Sequence, residues 1–103
     1  MSTLCVRFFA QEGMRHQGRP VHEWLFETAR ELGISGGTAF RASAGYGRHG
    51  VIEDSFFELA GNLPETVEFS ADEALIQALL ARVGQAGLKL VYALHPVTVG
   101  VTG

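Results

Sequence analysis

Two amphipathic helical patterns, each with a strand-like segment on either side, restrict the fold of this chain more than any other feature. The first pattern runs from Val21 to Leu32, after Pro20, which suits a first helical position, and before Gly33, which suits a stop. Phe26 falls off the apolar stripe of this helix, and we expect it to contact a neighbouring subunit. The stripe itself predicts a core-facing helix through Val21, Trp24, Leu25, Thr28, Ala29 and Leu32.

The second helical pattern is predicted to start at a capping box, Ser70-Ala71-Asp72-Glu73. Ser70 and Glu73 have the spacing at which each side chain bonds the other residue's backbone N–H at a helix start. Gly84 and Gly87 are predicted to end this helix. The residues that it should bury are Leu75, Ile76, Leu79, Leu80 and Val83.

Strand-like segments complete the order β-α-β-β-α-β. Gln11 to Arg19 is polar and is predicted to be a loop, whereas Ser55 to Leu59 fits a short strand or a helical turn. Pro96 should confine the last strand to an edge or an irregular stretch. The four predicted strands are Thr3–Ala10, Thr38–Ala44, Thr66–Phe69 and Leu90–Val99. This order predicts an α+β protein, a ferredoxin-like sandwich with both helices on one face of a mostly antiparallel sheet, in which residues 1–103 form a single domain.

Composition narrows the class of function. The 103 residues are enough for one core, and a formal charge of −3 argues against broad electrostatic binding to nucleic acid or anionic membranes. The N-terminal residues do not resemble a signal peptide, and no window approaches the ~20 apolar residues of a membrane span. We therefore expect a cytoplasmic protein, in which the lone Cys5 is a buried structural thiol.

A glycine-rich segment after the second strand is the best candidate for a binding site. Gly45, Tyr46, Gly47, Arg48 and His49 place one aromatic and two basic side chains among glycines. With Gly50 they also match G-x-G-x-x-G, the dinucleotide-binding fingerprint. That interpretation requires a βαβ unit in a larger parallel sheet, and neither the length of this chain nor the segment that follows supports one.

The sequence offers little support for metal binding or for catalysis. The four histidines, His16, His22, His49 and His95, lack the spacing that places two ligands on one face, so we expect neither a metal nor a cofactor. No serine lies in a G-x-S-x-G elbow, and acid–base chemistry by Glu53 and Asp54 would need a cleft. We expect no catalytic residues and no enzymatic activity.

Several segments resemble an uncharacterised family of PII-like proteins, over about Leu4 to Val99. They are Gly18-Arg19-Pro20, Ala29 to Ile34, Gly36-Gly37-Thr38, Arg41 and Gly45-Tyr46-Gly47. The resemblance implies a ferredoxin-like subunit, a homotrimer, and a short version of the T-loop that carries signalling in PII proteins. Genes of that family often lie near fluoride-exporter genes. In PII proteins a glycine-rich loop with a lysine before the last strand binds nucleotide phosphate, and Gly84 to Lys89 is loosely similar to it.

Each candidate ligand contact has a simpler alternative. Arg41 suits a phosphate or carboxylate clamp, but an ion pair with a partner strand fits as well. Arg48, His49 and Lys89 could equally be solvated, and Gly45 and Gly47 could serve only to allow positive φ. Tyr46 could stack on a base or pack between subunits.

These features together predict a non-enzymatic homotrimer that binds a small anionic effector between subunits. An adenine nucleotide is the first candidate, and the 45–54 loop is expected to engage a protein partner. The alternatives are a small enzyme of the dimeric α/β-barrel kind and a CutA-like metal-binding trimer. An open sheet face carrying Cys5, Arg7 and Phe9 is too apolar to be left wholly in water, which favours self-association.

Overall fold

A computed structural model of the chain describes residues 2–47, 50–53 and 63–103. Four strands form the main sheet, and two short hairpins and two helices complete the described part of the chain. In chain order the elements are β1 (Thr3–Gln11), β2 (Arg15–His16), β3 (Arg19–Pro20), α1 (Val21–Glu31), β4 (Gly37–Arg41), β5 (Ala44–Gly47), β6 (Gly50–Glu53), β7 (Pro64–Asp72), α2 (Glu73–Gln85) and β8 (Val91–Pro96).

The main sheet has the strand order β4-β7-β1-β8, and every neighbouring pair is antiparallel. The strands β1 and β4, which α1 connects, are therefore separated by β7, and the strands that α2 connects are separated by β1. This split-βαβ arrangement is the ferredoxin-like topology that the sequence predicts. As expected from Pro96, β8 is an edge strand.

The core lies between one face of the sheet and the two helices. Val6 and Phe8 from β1 are fully buried, as are Leu25 from α1 and Ile76 and Leu79 from α2. The intervening residues of β1 point to the opposite face because side chains alternate along a strand. Cys5 is one of these residues; it is a free thiol and is buried, as predicted.

The predicted capping box at the start of the second helix is wrong. Ser70 is still part of β7, where it pairs with Cys5 of β1. Asp72 is the N-cap residue, and its side chain makes no capping hydrogen bond. The backbone N–H of Glu73 is satisfied instead by the carbonyl oxygen of Ser2, at 2.9 Å. Strand pairing has thus overridden a local motif that depends only on residue types.

The predicted loop from Gln11 to Arg19 contains a small hairpin. Its strands, β2 and β3, are joined by Gln17 and Gly18, with φ angles of 54° and 77°. Two successive positive φ values are typical of the turns that close two-residue hairpins. Pro20 belongs to β3 and is the N-cap of α1, not the first helical residue as predicted, so the helix begins at Val21.

The first helix buries most of its predicted stripe, but Trp24 is less buried than expected. Trp24 is only partly buried, at the margin of the core, where its ring lies 5.0 Å from that of His16. Phe26 is partly buried and packs against Phe69 of its own subunit, with ring centroids 6.0 Å apart, and its predicted contact with a neighbouring subunit stays a prediction. Both rings sit on the flanks of the buried stripe.

The ends of the second helical unit also differ from the prediction. Gly84 lies inside α2, which continues to Gln85, and Gly87 follows with a φ of 75°. The last strand is shorter than predicted, at Val91–Pro96. The segment Ser55–Leu59 lies outside the described residues. Neither described helix is long and apolar enough to cross a membrane.

Candidate functional site

The residues predicted to bind a ligand gather, as far as the structure describes them, at one end of the main sheet. We call it the hairpin end: here β1 and β4 finish, and β7 and β8 begin. The strand register defines it, because Gln11 pairs with Pro64, Arg41 with Glu65, and Phe9 with Val91. The β5–β6 hairpin follows β4 at this end.

Arg41 is the last residue of β4 and forms an ion pair at the hairpin end. Its Nε lies 3.3 Å from Oε2 of Glu12, the residue that follows β1, and both side chains are partly exposed. The alternative of an ion pair is therefore realised, with Glu12 as one partner. An arginine in a half-exposed pair of this kind can still exchange its partner for an anionic ligand.

A buried glutamate, Glu65, lies beside the Arg41–Glu12 pair in the strand register. It was not predicted as a site residue. Glu65 is only 7 % exposed, and its Oε1 lies 3.1 Å from Nδ1 of His22, in the first turn of α1. The side chain of Glu65 points toward the helices because Val67 and Phe69, two and four residues later, do the same. The alternation predicted for Thr66–Phe69, extended by one residue toward the N-terminus, would have identified it.

Burial raises the pKa of the Glu65 carboxyl above its ordinary value of 4.5. The charge of His22 and its hydrogen bond lower this pKa, and the neighbouring charge of Glu12 raises it further. The loss of water is thus the larger effect, because a carboxylate near a protein core is poorly solvated. The pKa of a poorly solvated carboxyl shifts when another charge binds nearby.

The raised pKa of Glu65 predicts a pH dependence of stability. A carboxyl whose folded-state pKa lies above the unfolded value contributes stability at low pH, and that stability is lost as the pH rises through the folded pKa. Glu65→Gln removes this effect. The unfolding free energy of Glu65→Gln should therefore increase relative to wild type as the pH rises above 4.5. Urea unfolding across a pH series measures the difference, and a gap that stays constant would contradict the expectation.

The predicted 45–54 loop is in part a hairpin. Residues 44–47 pair with residues 50–53 in antiparallel register, so this segment is strand where a loop was predicted. Tyr46 is 87 % exposed. Gly45 does not need a positive φ; a Cβ at this position would lie 2.8 Å from Cγ of Pro64, so close packing explains the glycine. Arg48, His49 and Asp54 lie outside the described residues.

Lys89 lies at the hairpin end too, but at the opposite edge of the sheet. It precedes β8 and lines an open groove of about 490 Å³ between α2 and β8, together with Val83, Leu88, Leu90 and Tyr92. Because Arg41 is on β4, the two cations are three strand spacings apart, or about 14 Å. Within one subunit the two cations thus lie at opposite edges of the sheet.

The open face of the sheet carries an exposed apolar row at the hairpin end. Phe40, Thr66, Phe9 and Val91 are neighbours in the register across all four strands. Phe9, Phe40 and Val91 are 44 %, 51 % and 73 % exposed. Below this row the Nε of Arg7 donates a 2.9 Å hydrogen bond to Glu68, which satisfies both charges on the same face.

The CutA-like alternative depends on metal ligands. Within residues 2–47, 50–53 and 63–103, no three histidine, cysteine, aspartate or glutamate side chains are placed to hold a metal ion. His16 stacks its ring edge against Trp24, and His22 contacts Glu65, so these two histidines have other neighbours.

The chain matches one protein family over nearly its whole length. The model of the family DUF190, described as an uncharacterized ACR, matches residues 3–99. A UPF0166 protein of Aquifex aeolicus is 37 % identical over 79 residues, which cover 76 % of this chain and 75 % of the relative. A UPF0166 protein of Methanocaldococcus jannaschii is 30 % identical over 78 residues, covering 76 % and 72 % of the two chains.

Solved structures with a similar fold are PII-like proteins. CPII from Thiomonas intermedia, a nitrogen regulatory PII-like protein bound to ADP, AMP and bicarbonate, superposes with a TM-score of 0.69 at 17 % identity, covering 98 % of this chain and 91 % of CPII. A putative PII-like signaling protein from Thermus thermophilus gives a TM-score of 0.63 at 17 % identity, with coverages of 94 % and 91 %. At this identity the likeness establishes the fold, which confirms the predicted PII-like, ferredoxin-like arrangement.

Proposed function

Since this chain belongs to the DUF190 family and has the PII-like fold, we propose that it is a non-enzymatic regulatory protein of the cytoplasm. It assembles as a homotrimer and binds a small anionic effector between subunits. Effector binding changes the β5–β6 hairpin and thereby the protein partner that the trimer engages.

The observation that carries this proposal is the position of Arg41 and Lys89. Both cations lie at the hairpin end, on opposite edges of one sheet, about 14 Å apart by strand spacing. In an assembly that brings the β4 edge of one subunit near the β8 edge of the next, the two would face a shared cleft. An anionic ligand in that cleft receives charge-assisted contacts from two subunits, which couples binding to assembly.

The exposed apolar row supports self-association. Phe40, Phe9 and Val91 form a row across an open sheet face, with Thr66 between the two phenylalanines, and exposed apolar patches commonly mark protein interfaces. Burying this row against other copies removes it from water while the Arg7–Glu68 pair stays satisfied within its own subunit. A trimer is the assembly that the PII-like resemblance implies.

An adenine nucleotide is the first candidate for the effector. CPII, whose fold this chain shares, was bound to ADP, AMP and bicarbonate. Arg41 and Lys89 offer the donors that phosphate or carboxylate oxygens require, and Leu88, Leu90 and Tyr92 offer apolar surface beside Lys89. Tyr46 is 87 % exposed and is available to a ligand or to a protein partner.

Calorimetric titration of the wild-type protein tests the proposal. ATP, ADP, AMP, cyclic dinucleotides, simple dicarboxylates and bicarbonate are titrated in turn. We expect saturable heat from at least one adenine nucleotide, with no turnover of it on prolonged incubation. Heat from none of the nucleotides would end the nucleotide proposal, and conversion of a bound nucleotide to product would favour the enzyme class instead.

A further inference from the structure

The guanidinium of Arg41 is already held by a carboxylate of its own chain. Glu12 Oε2 lies 3.3 Å from Arg41 Nε. The backbone fixes both residues at the base of the hairpin: the N–H of Glu12 donates to the carbonyl of Leu63 at 2.8 Å, and the N–H of Ala42 donates to that of Pro64 at 2.9 Å. The contact between Glu12 and Arg41 is therefore built into the junction from which β5 and β6 extend.

This carboxylate is not well satisfied. Oε2 of Glu12 is buried, and it has no hydrogen-bond partner within the part of the chain that the structure describes. Its 3.3 Å approach to Arg41 meets the distance for an ion pair but lacks hydrogen-bond geometry. An acceptor in this state keeps part of its desolvation cost. A ligand oxygen with better hydrogen-bond geometry would therefore replace the Glu12 carboxylate at Arg41 with little loss of binding energy.

Two further titratable groups belong to the cluster around Glu12 and Arg41. Glu65 of β7 lies directly opposite Arg41 in the strand register and is buried. His22 from α1 lies 3.1 Å from Glu65, and the charge of Glu12, at the end of β1, also acts on Glu65. The cluster thus contains two carboxylates, one guanidinium and one imidazole.

We propose that Glu12 occupies Arg41 in place of the effector, so that binding exchanges this carboxylate for a phosphate or carboxylate group of the ligand. The inference rests on the proposed function, in which the effector contacts Arg41. Glu12 is then a residue that sets affinity by competing for Arg41. Its release removes a side-chain contact at the base of the β5–β6 hairpin, which is how occupancy reaches the hairpin.

The exchange should change the protonation of Glu65. Once a ligand anion takes Arg41, both Glu12 and the ligand place negative charge near Glu65. Negative charge next to a buried carboxyl favours its protonated form, and burial already favours that form at Glu65. Effector binding should therefore raise the pKa of Glu65 further, so that this carboxyl takes up a proton at a pH near its pKa.

Titration calorimetry with ADP on the wild type and three variants tests the exchange. Glu12→Gln removes the competing charge and should bind ADP about two- to five-fold more tightly, as expected for loss of a partly exposed ion pair. Glu23→Gln, an exposed glutamate in the first turn of α1, is the control and should bind as wild type does. At about pH 5, just above the ordinary pKa of a glutamate, wild type should show different binding enthalpies in two buffers that release different heats on losing a proton, and Glu65→Gln should not.

The outcomes separate the exchange from the proposed function. Equal ADP affinities of wild type and Glu12→Gln overturn the exchange and leave ADP binding intact. Binding by Glu12→Gln alone supports the exchange. Absence of binding by both proteins overturns the nucleotide proposal together with the exchange. Buffer-independent enthalpies for wild type overturn the proton uptake.

Discussion

Replacing Leu25 by alanine should lower the free energy of unfolding by about 2–5 kcal/mol. Leu25 is fully buried at the centre of the α1 stripe, where the sheet and the helices enclose it, so truncation leaves a cavity. A domain of this size has only ~5–15 kcal/mol of stability, so the variant should be partly unfolded at moderate temperature. Urea unfolding followed by circular dichroism gives the value.

Trp24 and Tyr46 provide matched controls for the Leu25 experiment. Trp24 is the larger side chain but is only partly buried, so Trp24→Ala should cost less than the roughly 3–5 kcal/mol of a buried tryptophan. Tyr46 is 87 % exposed, and Tyr46→Ala should change stability by no more than about 0.5 kcal/mol. A Leu25→Ala protein as stable as Tyr46→Ala would mean that α1 presents a different face to the core.

Replacing Arg41 or Lys89 by alanine should weaken effector binding by roughly ten- to a hundred-fold. Charge-assisted hydrogen bonds to phosphate oxygens contribute about 1.5–3 kcal/mol each when water is excluded. Both residues belong to the hairpin end, and both have side chains that a ligand can reach. Arg48→Ala should have a smaller effect, since we expect a residue at a glycine-flanked tip to be more solvated.

The control for this experiment is Arg30→Ala. Arg30 carries the same charge but lies in the last turn of α1, about 12 Å along the helix from His22. Its loss should leave the affinity unchanged. A ligand that is indifferent to both Arg41→Ala and Lys89→Ala would place the binding site elsewhere on the molecule.

The sequence predicted the elements with strong periodicity. Leu25 in α1 and Ile76 in α2 recur with apolar neighbours at helical spacing, and the structure buries both. The ends of elements were less predictable. Ser70 and Glu73 have the residue types of a capping box, but pairing of Ser70 with Cys5 of β1 keeps the chain extended. A motif of four residues carries no information about a partner strand that is remote in sequence.

In the candidate site, too, the features set by local sequence were predicted and those set by remote strands were not. Arg41 and the glycine-rich segment after it were predicted as site residues because an arginine before a glycine-aromatic-glycine segment is a local pattern. The Glu65–His22 contact joins residues 43 positions apart and depends on which side of β7 faces α1. Glu12 contacts Arg41 only because β1 and β4 end at the same level on either side of β7. Such contacts follow from strand register, which residue spacing alone did not supply.

Native mass spectrometry of the purified protein with ADP measures subunit number and bound ligand in one spectrum. We expect a complex of three times the subunit mass that carries up to three ADP molecules. Weaker occupancy is expected for Arg41→Ala at the same ADP concentration. A monomer or dimer without bound ADP would contradict an effector-binding trimer.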